Sequence, residues 1–190
     1  MRSAVRDTQP DGTDTAPCVE IESPVGPLLL AADGAGLRRI VFLNGRRAAR
    51  SAAHRRVPHP ASPPEEHPIA TEGQRILTET IHQLRAYFSG ELESFSLPLA
   101  PEGTPFQLEV WRRLCDIPFG ETMSYGELAR LIQRPRASRA VGLANGSNPI
   151  PVVIPCHRVI GSNGKLTGYG GGLPIKEKLL ALERRQLRLL

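Results

Sequence analysis

The chain of 190 residues is 40% hydrophobic and has no apolar run near the ~18 residues that a membrane span needs. Its net charge of +5 and pI near 9.6 suit a polyanionic partner, although any arginine-rich soluble protein would show the same balance. Its three cysteines, Cys18, Cys115 and Cys156, stand at no metal-ligand spacing, so no disulfide framework, zinc cluster or other cofactor is expected. A reducing, cytoplasmic setting follows, in which a lone reactive thiol survives.

Residues 1–17 lack the apolar stretch of a secretory signal and read as a disordered polar tail. From 19 to 43 the pattern is a β-hairpin or meander, with strands from Leu28 to Ala32 and from Leu37 to Leu43 and a turn signal at Asp33-Gly34. The stretch 44–68 is rich in Arg, Ala, His and Pro without periodicity, and reads as a long mobile loop with His54, His59 and His67 solvated. Leu77, Ile81, Leu84 and Phe88 then fall at helical spacing from Thr71 to Ser89, with Gly90 as a stop. Phe95, Leu97 and Leu99 alternate as a strand leading into the second half.

That half carries explicit caps. Thr104-Pro105-Phe106-Gln107 supplies an N-cap, a proline at the first helical position and a capping-box glutamine, and Phe106, Val110 and Leu114 line one face beside Trp111. Cys115, next to these core positions, reads as a structural thiol. Ser124-Tyr125-Gly126-Glu127 is a second capping box, opening a helix through Leu128, Leu131 and Ile132 that Pro135 ends. A short helix over about 137–146 completes a helix-turn-helix, whose second member normally meets DNA. Asn163-Gly164 marks a hairpin turn, and Pro174 opens a last helix with Ile175, Leu179 and Leu182 inward.

The chemistry concentrates at Ile154-Pro155-Cys156-His157-Arg158-Val159. Spacing alone is equally compatible with an inert buried thiol and a surface histidine, since free cysteine is among the most buried residue types. On a strand, Cys156 and His157 would also point to opposite faces, so a turn or a bridging water would be needed to couple them.

Pro155-Cys156-His157-Arg158-Val159 resembles the active-site motif of the O6-alkylguanine-DNA alkyltransferases, the methylated-DNA–protein-cysteine methyltransferases. Ser124-Tyr125 with Leu128-Ala129, Arg139-Ala140-Val141-Gly142, Asn148-Pro149, Gly168-Tyr169 and Glu183 fall where that family's motifs stand. The resemblance is strong over about 103–183, weaker over 20–43 and 84–98, and absent from the tail and the 44–68 loop. Ser147 replaces an arginine of many bacterial relatives, and Gly170 replaces a hydroxyl residue of some.

The resemblance implies that Cys156 accepts an alkyl group from O6-alkylguanine, and from O4-alkylthymine, in one irreversible turnover. It implies that His157 takes the thiol proton through a water, that Glu183 orients His157, that Tyr125 donates toward the base and that Asn148 braces the site. Arg139 would fill the gap left by a flipped base. Ser138 and Ala140, with Tyr125, would meet the DNA minor groove. Tyr169, Gly170 and Pro151 would shape the base pocket. The partner implied is double-stranded DNA with a flipped alkylated base, bound by a monomer that does not enter membranes.

The residue types suit such a displacement at carbon, which needs a soft nucleophile and a stabilised leaving oxygen. Lowering a thiol pKa from ~8.5 to ~6.5 raises the thiolate fraction at pH 7 about 25-fold. The accompanying loss of nucleophilicity takes back about tenfold. Holding sulfur and carbon in line contributes ~7–11 kcal/mol, so positioning is expected to outweigh ionisation.

The fold expected is α+β: a small sheet with a helix over 18–100, then a mostly helical DNA-binding and catalytic domain over 101–190. Two other readings compete. A non-catalytic helix-turn-helix protein or lesion sensor would not need Cys156, and a cysteine hydrolase would need an acyl pocket and turnover.

Overall fold

Apolar residues at every second position build a three-stranded antiparallel sheet in the computed structural model, which describes residues 17–43 and 71–187. The tail up to residue 16 and the 44–68 loop with its three histidines lie outside the described residues. Strands β1 (Cys18–Ile21), β2 (Leu28–Asp33) and β3 (Gly36–Phe42) lie in that order. The register pairs Leu28 with Phe42 and Leu30 with Ile40, which puts Leu28, Leu30, Ile40 and Phe42 on one buried face. Gly36 closes the β2–β3 turn at φ 151°, where a side chain would stand 2.6 Å from the Pro98 carbonyl oxygen.

Helix α1 (Glu72–Ser89) covers that face. Thr71 and Gln74 form a reciprocal capping box, and Gly90 stops the helix in the left-handed conformation. Its inward side is rotated about one position from the expected Leu77–Ile81–Leu84–Phe88 stripe. Ile76, Leu77, Thr80, Gln83, Leu84 and Tyr87 are buried, whereas Ile81 and Phe88 are half-buried. Polar residues occupy this face because each is satisfied. Thr80 donates to the Ile76 carbonyl at 2.7 Å, and Gln83 exchanges two hydrogen bonds with the Ser96 backbone.

The expected strand at 95–99 is instead an extended strap with a single bridge, Leu37 to Leu99. Pro98 lacks the N–H that a continuing ladder requires, and the strap is held by Leu37 N–H donating to the Pro98 carbonyl.

The helical half begins with α2 (Pro105–Leu114), capped by Thr104 and Gln107, and continues with a two-residue strand β4 (Met123–Ser124). Helix α3 (Tyr125–Leu131) follows, capped by Ser124 and Glu127. A turn with Gln133 at φ 58° leads to α4 (Ser138–Gly146), so α3 and α4 are the two members of the helix-turn-helix. Trp111 locks α2 to α4 by donating its indole N–H to the Ala144 carbonyl at 2.8 Å. Cys115 is exposed at the C-cap of α2, with its Sγ donating to the Trp111 carbonyl at 3.6 Å, while Cys18 is buried in the first sheet.

Strand β5 (Val159–Ile160) pairs parallel with β4. Asn163-Gly164 does turn the chain, with Gly164 at φ 74°, but no hairpin partner follows. Residues 165–171 carry too many glycines for a stable ladder. Helix α5 (Leu173–Leu187) closes the structure with Ile175 and Leu179 inward and Leu182 half-buried, and buries two charged residues, Lys176 and Glu183. Among the described residues no helix is long and apolar enough to cross a membrane.

Candidate active site

The loop between α4 and β5 is built by Asn148. Its Nδ2 donates to the Ile154 carbonyl at 2.8 Å and its Oδ1 accepts from the Ile150 N–H at 2.9 Å, so one side chain spans both arms of a tight bend. At the tip, Val152 adopts φ 77°, a conformation that costs a β-branched residue ~1–3 kcal/mol and survives only where packing dictates it. Val152 is buried, as are Pro151 and Val153 on either side.

The bend delivers Cys156–Arg158 as a single 3-10 turn, not a strand. Cys156 and His157 are therefore not forced to opposite faces, and both are buried. Asn145 of α4 donates to the Cys156 carbonyl at 3.3 Å, tying the turn to the second helix of the helix-turn-helix.

Behind the turn, the fully buried Glu183 carboxylate accepts from four residues. Tyr87 Oη reaches Oε1 at 2.8 Å, His157 Nε2 reaches Oε1 at 2.9 Å, and the Gly120 N–H reaches Oε2 at 3.0 Å. The Arg158 guanidinium grips both oxygens and also donates to the Ile117 carbonyl. Burial opposes a charge on Glu183, but the hydrogen bonds from His157 and Arg158 overcome it and hold its pKa at about 2. Burial, with the Glu183 charge, raises the Tyr87 phenol well above its usual range, so Tyr87 remains a donor.

An ionised Glu183 is an acceptor only, which fixes the His157 tautomer: Nε2 carries the proton and Nδ1 holds a lone pair. Nδ1 is buried without a hydrogen-bond partner. Burial drives the His157 pKa below 6.5, and the Arg158 and Lys176 charges add to this against the pull of Glu183. The ring is therefore neutral at neutral pH, with the Nδ1 lone pair unengaged.

The Cys156 thiol is pushed up to about 11 by burial, despite hydrogen bonding from Asn148, the charge of Lys176 and the Tyr169 hydroxyl. It rests as a thiol, with a base next to it in the chain. Lys176 is tied down by donating to the Val159 carbonyl at 2.6 Å and the Thr167 carbonyl at 3.0 Å, which joins the end of the Cys156–Arg158 turn to the loop carrying Tyr169. The Tyr169 hydroxyl is buried with no hydrogen bond of regular geometry, and the Cys156 sulfur is the neighbour it can serve.

An open cleft of about 570 Å³ lies above, lined by Tyr125, Ser138, Arg139, Gly142, Thr167 and Tyr169, with Gly168, Gly170 and Gly146 completing its wall. Thr167 Oγ1 donates to Tyr125 Oη at 3.1 Å, leaving the Tyr125 proton free for a group in the cleft. Tyr169 belongs to both places, lining the cleft and neighbouring the thiol.

Cys156, His157, Glu183, Asn148 and Tyr169 thus come together below the cleft, and Tyr125, Ser138, Arg139 and Gly170 lie on it. Ala140 is exposed on α4 outside the lining, and Pro151 is buried, bridged to Ile154. Sequence reasoning missed Tyr87, Arg158 and Lys176. Arg158 stood inside the quoted motif, and its side chain is buried against Glu183. Among the described residues no cluster of acidic, histidine and cysteine side chains could hold a metal ion.

Fold and site together define a helix-turn-helix protein that carries a buried cysteine, beside a histidine–carboxylate pair, at the foot of its second helix. Two family models divide the chain between them. Residues 19–101 match the 6-O-methylguanine DNA methyltransferase ribonuclease-like domain, and residues 105–185 match the DNA binding domain of the same family. A methylated-DNA–protein-cysteine methyltransferase of Methanosarcina barkeri is 54% identical over 168 residues, which span 88% of this chain and 97% of that one. The crystal structure of Mycobacterium tuberculosis OGT in complex with DNA superposes with a TM-score of 0.73 at 46% identity, over 89% of this chain and 93% of that one. An O6-methylguanine DNA methyltransferase of Methanococcus jannaschii gives a TM-score of 0.58 at 27% identity, over 87% and 92%. The chain belongs to the methylated-DNA–protein-cysteine methyltransferase family.

Proposed function

We propose that this protein repairs DNA by moving the alkyl group of O6-alkylguanine onto Cys156, once per molecule. The observation that carries the reading is the buried His157, with Nε2 fixed on Glu183 and Nδ1 unpaired, adjoining a buried thiol beneath a cleft of the helix-turn-helix. The Cys156 proton passes through a water to Nδ1. Sulfur attacks the alkyl carbon, the S–C bond forms, and the C–O6 bond breaks with its electron pair going to the base. The base regains neutrality by accepting the proton of Tyr125 Oη, which lines the cleft, and the tyrosinate and the His157 imidazolium return to neutrality as one gains and the other loses a proton to solvent. The thioether product has no good leaving group, so the protein is not regenerated.

The partner fits the same geometry. A guanine inside a duplex must be extruded at a cost of a few kcal/mol. Exposed Arg139 and the small residues of α4 are suited to the minor groove and the vacated stack. The reading extends to O4-alkylthymine, to a monomer working in the cytoplasm, and to a division of labour between residues 18–100 and 101–190.

The test is incubation with an oligonucleotide carrying labelled O6-methylguanine. Label should plateau at about one per protein, on Cys156, and Cys156→Ser should take up none while still binding DNA, because an alcohol is un-ionised at neutral pH. Label on Cys18 or Cys115, or turnover past the plateau, would defeat the reading.

A further inference from the structure

We infer that Tyr87, contributed by the sheet-and-helix half, is a positioning residue of the proton relay and sets how strongly Glu183 holds His157. The inference rests on the transfer reading above and concerns how its base is tuned. Tyr87 lies on α1, 96 residues from Glu183 in sequence, and is fully buried with its hydroxyl 2.8 Å from Oε1. That oxygen also receives His157 Nε2 at 2.9 Å. A carboxylate oxygen has two lone pairs, and the Arg158 guanidinium crowds the same atom at 2.9 and 3.2 Å. Tyr87 and His157 therefore compete for one electron pair reservoir, and a stronger phenol donor leaves a weaker bond to His157.

The ring is built to hold that hydroxyl still. Phe88, Phe95 and Phe119 lie around it at centroid distances of 5.3, 5.3 and 6.1 Å, and Phe119 also stacks under Arg158. The charged and titratable groups facing the relay are Arg158 and His157 from the catalytic turn, Lys176 and Glu183 from α5, and Tyr87 from α1, with Tyr169 and Cys156 beyond. Among these, Tyr87 alone comes from the first half of the chain. A tyrosine needed only for packing could be phenylalanine, as its three aromatic neighbours are.

Two variants move the competition in opposite directions. Tyr87→Phe removes the competing donor. Site-specific replacement of Tyr87 by 3,5-difluorotyrosine keeps the ring and makes the phenol a stronger donor, so the fold is preserved even if Tyr87→Phe is unstable. The first readout is the Nε2–H proton resonance of 15N-labelled His157 at neutral pH. It should move downfield in Tyr87→Phe and upfield in the fluorinated protein.

The second readout is single-turnover transfer of the labelled methyl group against pH. The acid limb should shift up in Tyr87→Phe and down in the fluorinated protein. A half-unit shift changes the rate on that limb by about threefold. A purely structural role would not produce shifts of opposite sign. An unmoved resonance in the fluorinated protein overturns the proposal, as does an acid limb that stays in place while the resonance moves. Failure of the wild-type protein to label Cys156 would instead strike the transfer reading, and the resonance would still judge whether Tyr87 governs the Glu183–His157 bond.

Discussion

Glu183 answers to two partners at once, and its replacement has two separable effects. In Glu183→Gln the Arg158 guanidinium remains buried without its anion, at a cost of about 3–5 kcal/mol. For a chain of this size that lowers the melting temperature by roughly 6–20 °C. The variant also loses the carboxylate that orients His157 and stabilises its protonated form. Transfer measured well below the melting point should slow by far more than the few-fold that ionisation can account for. A variant that melts and transfers like the wild type would show that the buried cluster is dispensable.

Acid should act through the same pair. Glu183 titrates at about 2 in the fold against an ordinary 4.5, so its ionised form stabilises the protein above 4.5, and this is lost as pH falls from 4.5 toward 2. The amount is about 3 kcal/mol. His157, depressed below 6.5, works in the same direction, because the unfolded chain takes up its proton first as pH drops below that value. Melting temperatures should therefore begin to fall near pH 6.5 and continue falling below 4.5, and His157→Gln should lack the upper part of that decline.

Helix boundaries were legible where the stabilising partner is local. The capping boxes at Thr104 and Ser124 join residues three apart, and both hold at hydrogen-bonding distance. The turn at 163–164 forms, closed by the Gly161 N–H on the Lys165 carbonyl, but the strand at 95–99 and a hairpin strand after 164 do not, because alternation and turn signals do not reveal whether a ladder partner exists. Pro98 and the glycines of 165–171 prevent one. Tyr87 and Lys176 left no signal, since their partners lie far along the chain and only burial gives the hydroxyl and ammonium a task. Glu183 was reached through family resemblance, not through any periodicity of the last helix. At this scale α4 provides the test of base extrusion. Arg139→Ala should slow repair of duplex DNA much more than transfer from free O6-benzylguanine, which needs no unstacking. Equal losses on both would place Arg139 in the base pocket instead.

Among the described residues the first half of the molecule reaches the site from several points, one of them the Ile40 N–H donating to the Pro149 carbonyl at 2.9 Å in the bend before Cys156. Tyr87 touches the carboxylate from below, and Phe42 at the end of β3 packs on the loop above. The Phe42 ring lies 5.7 Å from that of Tyr169, and it leaves Gly171 no room for a side chain, which would stand 2.7 Å from the ring. The first half therefore bears on both the loop that carries Tyr169 and the Glu183–His157 pair. The second half alone carries the thiol.

Burial of Cys156 has a further consequence if, as proposed, the protein reacts only once. Cellular electrophiles, such as reactive aldehydes and alkyl halides, attack whichever thiolate they can reach. Burial raises the pKa of both thiols, so both are protonated at rest, but Cys156 is 3% exposed whereas Cys115, its Sγ donating to the Trp111 carbonyl, is exposed at the end of α2. Iodoacetamide should therefore modify Cys115 well before Cys156, and protein carrying one carbamidomethyl group should retain nearly full methyl-accepting capacity. Loss of capacity in step with the first modification would show the thiol to be unguarded. If the order holds, the enclosure does more than shape a reaction site: it gives the unreacted protein a long working life among small alkylating agents, so that the molecule is still intact when a damaged base arrives.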